Sequence, residues 1–174
     1  PDASLFGYAD TTKLEGWLAE ANARDGALNY YLLDNGKDVI LFDAGLNESA
    51  GGQLIKRLAE AGYKPSDITA ICLTHMHGDH IGGLIDKDDK ALFPKAAVYV
   101  AQEEAEYWKG KNPMADNVMN AYKGTMKTFK QNAEVMNGVK SIPAFGHTPG
   151  HTMFQVSGST GSVTVCGDIL HARV

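Results

Sequence analysis

The sequence predicts a single mixed α/β domain over residues 1–174, and three observations predict it. Apolar runs with strand character alternate with runs at helical spacing. At 174 residues, with 44% hydrophobic and 21% charged side chains, the chain can bury one core and has an ordinary globular composition. No repeat and no low-complexity linker divides it.

The elements follow in order. Residues 11–22 place Leu14, Trp17, Leu18 and Ala21 at helical spacing, with Thr11 or Thr12 as the cap. Residues 27–45 are two apolar runs joined by Asp34-Asn35-Gly36-Lys37, a hairpin signal. Residues 47–63 predict a helix with Leu54, Ile55, Leu58 and Ala59 inward. "ITAICLT" (68–74) and "AAVYVA" (96–101) are strands; 102–108 and 113–130 read as helices. The second of these carries a stripe of Met114, Val118, Met119, Tyr122, Met126 and Phe129, either core or a lid. Strands at 139–145, 152–158 and 162–168, separated by Gly/Ser turns, complete the pattern.

Composition excludes several roles. The net charge of −5, with no Lys/Arg run, argues against a nucleic-acid partner. No apolar run has the length of a membrane span, so a soluble protein is expected, cytoplasmic or periplasmic. The two cysteines, Cys72 and Cys166, lie in apolar runs and are expected to be small core residues. The chain begins at Pro1 and stops just after a strand, which reads as a segment of a longer protein.

Chemistry concentrates in "THMHGDHIGG" (74–83), where three of the six histidines share six positions with an aspartate. Neutral imidazoles and carboxylates are the donors a Zn²⁺-type ion accepts. His75 and His77 leave the end of an apolar strand, Asp79 and His80 follow, and Gly78, Gly82 and Gly83 are expected to permit a tight turn. "FGHTPGHT" (145–152) adds His147 and His151 in a second turn, and Asp168 ends the strand of "VCGDILHA" (165–172).

These motifs, in this order and after "VILFDAGL", resemble the metallo-β-lactamase superfamily from about Asn29 to His171. The resemblance implies a four-layer αβ/βα sandwich, here incomplete at both ends. It implies that His75, His77 and His147 hold a first metal, that Asp79 and His80 hold a second, and that Asp168 bridges the two. Asp43 and His151 would brace the loops without binding metal. The family's last histidine ligand lies beyond this chain, and His171 reads as a pocket-lip residue. Members with a cysteine ligand carry it where this chain has Asp168.

"GHTPGHTMFQV" followed by "GDILHA" looks most like the branch of bacterial lactonases and methyl-parathion-hydrolase-like proteins. The function implied is a binuclear zinc hydrolase of a lactone, ester or phosphotriester. Two Zn²⁺ ions would share a hydroxide that attacks the substrate, with Asp79 orienting it or carrying a proton. Fe, Mn or Co also suit the donor set. Two alternatives stay open: a mononuclear iron oxidoreductase like the persulfide dioxygenases, and a non-catalytic segment whose metal is structural. The partner expected is a small-molecule substrate, against a lid that could include Tyr107, Trp108, Met114, Met119 and Tyr122. Exposed sheet edges leave a homodimer open.

Overall fold

Strand alternation decides which side chains face which layer. The computed structural model describes residues 11–20 and 27–169. The chain divides into two compact units, residues 29–167 and residues 1–28 with 168–174. In the smaller, α1 (Thr11–Glu20) buries Leu18, whereas Trp17, expected inward, is 37% exposed. Ala21, at the end of the expected helix, lies outside the described residues, as does His171.

The larger unit carries two sheets. β1 (Tyr31–Asp34) and β2 (Val39–Phe42) form the expected hairpin, with Tyr31 opposite Phe42 and Gly36 at φ 81 in the turn. β3 (Ala70–Cys72), β4 (Ala97–Ala101) and β5 (Met126–Phe129) then add in parallel, giving the order β1-β2-β3-β4-β5. The second sheet is an antiparallel meander of β6 (Glu134–Met136), β7 (Val139–Pro143), β8 (Thr152–Gly158) and β9 (Gly161–Val165).

One face of the first sheet packs on the second sheet. Ile40, Phe42, Ala70, Cys72 and Phe129 meet Val139, Phe154 and Val165. Phe154 is the hub, 5.7 Å from the Phe42 ring and 5.9 Å from the Phe129 ring. Each such pair contributes about 0.5–1.5 kcal/mol beyond its buried area. The intervening residues Leu41, Ile71, Val98 and Val100 point the other way. They pack against α2 (Leu54–Glu60) and α5 (Pro113–Ala121). Among the described residues no helix is long and apolar enough to cross a membrane.

Further expectations need correction. Of the residues expected inward at 47–63, Leu54 and Leu58 are buried but Ile55 and Ala59 are exposed. The helix predicted at 47–63 is a 3-10 turn at 48–50 followed by α2, because Gly51 turns the chain at φ 88. The helix predicted at 113–130 stops at Ala121. Met126–Phe129, read as helical, is instead β5, hydrogen-bonded beside β4. Tyr122 lies wholly in the core and cannot serve as a lid. Cys166 is only partly buried, because it follows an edge strand whose residues 161–164 are exposed.

Candidate metal centre

The C-terminal ends of β2, β3 and β4, neighbours in the sheet, deliver the chemical groups. β2 runs straight into Asp43, held buried at φ 58. β3 is followed by Leu73 and Thr74, then His75, Met76 and His77. His77 is the extended residue that precedes α3 (Gly78–Ile81), with φ −65 and ψ 151.

The glycines act by lacking a side chain, not by unusual backbone angles. Gly82 is ordinary right-handed helix at φ −60, ψ −35. A Cβ there would lie 2.5 Å from the Asn47 nitrogen, and one on Gly83 would lie 2.1 Å from the Ala44 carbonyl oxygen. The histidine loop is thus clamped onto the segment that follows β2.

His75, His77 and His147 come together as a triangle. His75 Nε2 stands 3.0 Å from His77 Nδ1, His77 Nδ1 stands 2.9 Å from His147 Nε2, and His147 Nε2 stands 3.2 Å from His75 Nε2. Three nitrogens in tetrahedral geometry around one Zn²⁺ would be about 3.3 Å apart. The donor set therefore fits a cation of that size.

Proton placement supports the same fit. Thr74 donates its backbone N–H to Asp43 Oδ1 at 2.8 Å and its hydroxyl to Asp43 Oδ2 at 2.7 Å. With its proton committed, the Thr74 oxygen 3.0 Å from His75 Nδ1 can only accept. The proton of His75 is therefore on Nδ1, and its Nε2 lone pair faces the triangle. His80 Nδ1 stands 3.0 Å from Asp43 Oδ2, which fixes the same tautomer there. Its ring centroid lies 4.0 Å from that of His75.

The remaining residues are placed as follows. His151 is buried with its ring centroid 4.9 Å from that of His75. Gly167 presses against it, since a Cβ there would lie 2.6 Å from His151 Nε2. Asp79 is outside the triangle, with its side chain 38% exposed and Oδ2 3.9 Å from His80 Nε2. Asp168 is half-buried in the 3-10 turn Gly167–Ile169, at φ −97 and ψ 30.

Sequence reasoning missed the linking role of Thr74 and, above all, Glu104 on α4 (Gln102–Trp108). Glu104 is fully buried and accepts hydrogen bonds from both histidine-bearing loops. Its signal was an acidic residue on the apolar stripe Ala101, Ala105 and Trp108, spaced three, one and four residues away.

Comparison with known proteins places the chain in a family. The family model described as the metallo-beta-lactamase superfamily matches residues 23–174. The chain is 28% identical over 165 residues to an N-acyl homoserine lactonase of Bacillus cereus, covering 82% of this chain and 63% of that protein. The chain thus spans less than two thirds of that relative's length. Among solved structures, the dizinc quorum-quenching lactonase AidC, in complex with a product, aligns with TM-score 0.82 and 28% identity, over 94% of this chain and 66% of AidC. The hydrolase AbOPH aligns with TM-score 0.84 and 29% identity, over 98% of this chain and 67% of AbOPH.

Proposed function

Because the chain belongs to the metallo-beta-lactamase superfamily, we propose that it is the metal-binding part of a hydrolase that opens a lactone or ester, with a phosphotriester as the related substrate. The observation that carries this is the His75–His77–His147 triangle, whose nitrogens lie 2.9–3.2 Å apart. In this reading those three histidines hold a first Zn²⁺, Asp79 and His80 hold a second, and Asp168 links the two. The resemblance to lactonases on both sequence and structure supports the substrate class.

When bound, such ions supply a water acidic enough to ionise near neutral pH and a Lewis acid for the substrate carbonyl. The protein's own groups do the rest. Asp43 holds the proton of each neutral ring on Nδ1, directly for His80 and through Thr74 for His75, which leaves the Nε2 lone pairs for the metal. In this reading Asp79, partly open to solvent, orients water and passes a proton to the leaving alkoxide. Trp108 lies edge-on to His77 with ring centroids 5.2 Å apart, and Met114 borders Gly78. These two give an acyl chain an apolar wall.

Metal content by mass spectrometry, with a panel of lactones, aryl esters and phosphotriesters, tests the reading. Bound zinc and lactone turnover, both lost in His147→Ala, are expected. Protein purified without chelator that carries no metal would overturn it. One iron with oxygen consumption and no hydrolysis would overturn it in favour of an oxygenase.

A further inference from the structure

The buried carboxylates among the described residues are Asp43 and Glu104. Asp43 serves His75, through Thr74, and His80, whereas Glu104 hydrogen-bonds to backbone, hydroxyl and indole groups, and its burial needs a separate account. A carboxylate removed from water is costly unless its lone pairs are filled. Those of Glu104 are filled, and they are divided between two loops. Oε1 accepts the backbone N–H of Met76 at 2.9 Å and the indole N–H of Trp108 at 2.6 Å. Oε2 accepts the Thr148 hydroxyl at 2.7 Å and the backbone N–H of Gly150 at 2.9 Å.

Each oxygen therefore holds one histidine-bearing loop. Met76 is the residue between His75 and His77, and Thr148 follows His147. Gly150 lies directly on the first turn of α4, since a Cβ there would stand 2.3 Å from the Glu104 nitrogen. A second tie between the loops, Thr152 N–H to the Thr74 carbonyl at 2.8 Å, lies on the side of His75 and His151. Glu104 is the tie on the side of His77 and His147.

We infer that Glu104 is a positioning residue for the metal centre: one oxygen for each loop, it sets His77 against His147 and aims the Trp108 indole at His77. This rests on the reading of the triangle as a metal site. Glutamine offers one oxygen and one NH₂, and the NH₂ would face either Met76 and Trp108 or Thr148 and Gly150, whichever pair of donors the oxygen does not serve. Glu104→Gln therefore loosens one loop while keeping the side-chain shape. Thr148→Val removes a single donor and leaves the carboxylate in place.

The test is Zn²⁺ affinity, measured on the 174-residue chain by competition with a chromophoric chelator. A Trp17→Phe background leaves Trp108 as the only tryptophan, so its emission reports on the triangle. Glu104→Gln is expected to bind zinc about 10–100-fold more weakly. Its far-UV circular dichroism should be unchanged and the zinc-induced change in Trp108 emission diminished. Thr148→Val is expected to show a smaller loss in the same direction. Affinity within about twofold of the parent in Glu104→Gln overturns the inference, even where the melting temperature of the metal-free protein falls, since that pattern marks a purely structural residue. Should Glu104→Gln fail to fold, parental affinity in Thr148→Val overturns it equally. Absence of zinc binding by the parent is a different result: it removes the metal reading itself, and this inference with it.

Discussion

Asp43 and His80 are joined across 37 residues of chain, Oδ2 to Nδ1 at 3.0 Å, with the carboxylate buried and its backbone at φ 58. The same oxygen accepts the Thr74 hydroxyl, so one side chain orients the ring tautomer of two imidazoles. Asp43→Asn separates charge from backbone, because Asn also tolerates positive φ. The amide must turn its NH₂ toward one of the donors. Unfolding free energy in urea is expected to fall by about 1–3 kcal/mol, and the His80 ring should change tautomer in a two-bond ¹H–¹⁵N spectrum. An unchanged tautomer would show that Asp43 does not control it.

Gly78 and Gly83 stand five residues apart and should respond oppositely to alanine. A Cβ on Gly83 meets the Ala44 carbonyl oxygen at 2.1 Å, with the Leu54 side chain also close. Backbone cannot yield cheaply, so Gly83→Ala is expected to cost about 1–3 kcal/mol or more. A Cβ on Gly78 meets only the flexible Met114 side chain, Sδ at 3.3 Å. Gly78→Ala is expected to stay within about 1 kcal/mol of the parent, helped by helix propensity. Paired thermal melts decide between these outcomes.

Tyr122 gives the fold an alkaline limit. Its hydroxyl donates to the Leu84 carbonyl at 2.7 Å and accepts the Phe93 N–H at 3.1 Å. Burial pushes the phenol up to about 12 from the ordinary 10.0, with the hydrogen bonds from Phe93 and Leu92 acting against it. The folded state thus favours the neutral form. Its contribution is complete below pH 10 and is lost as pH rises toward 12. Urea denaturation across this window should show stability falling by about 2–3 kcal/mol more in the parent than in Tyr122→Phe. Parallel declines would assign the alkaline loss to other groups.

The two cysteines should differ in reactivity. Cys72 is fully buried between the sheets, and burial pushes its thiol well above the ordinary range, largely suppressing the thiolate. Cys166 is partly open to solvent. A thiol reagent such as dithiobis-nitrobenzoate is expected to label one cysteine in the native protein and both in denaturant. Cys166→Ser should abolish the native phase; if Cys72→Ser does so instead, the burial assignment is reversed.

What was legible in the sequence was local. Asn35-Gly36 announced the hairpin because two residues carry the whole signal. His75, His77 and His80 announced metal chemistry because the donor types are contiguous. Met126–Phe129 was misread because its strand state comes from pairing with β4, more than twenty residues earlier, and its amphipathic look suits a helix equally. Cys166 was misplaced because apolar neighbours do not reveal an edge strand. Glu104 was invisible for the same kind of reason. Its partner loops lie 28 and 44 residues away, and beside Glu103 and Glu106 it looks like one more solvated acid.

β4 passes into α4 without an intervening residue: Ala101 ends the strand and Gln102 begins the helix. The path from the sheet interior to Glu104 therefore has no slack to absorb a displacement. A change of volume at Val100, which is fully buried four positions before Glu104, must be relayed stiffly to the carboxylate and from there to both loops. Variants selected for altered metal affinity would then be expected to carry changes in the oily layer beneath the sheet as well as in the two histidine-bearing loops.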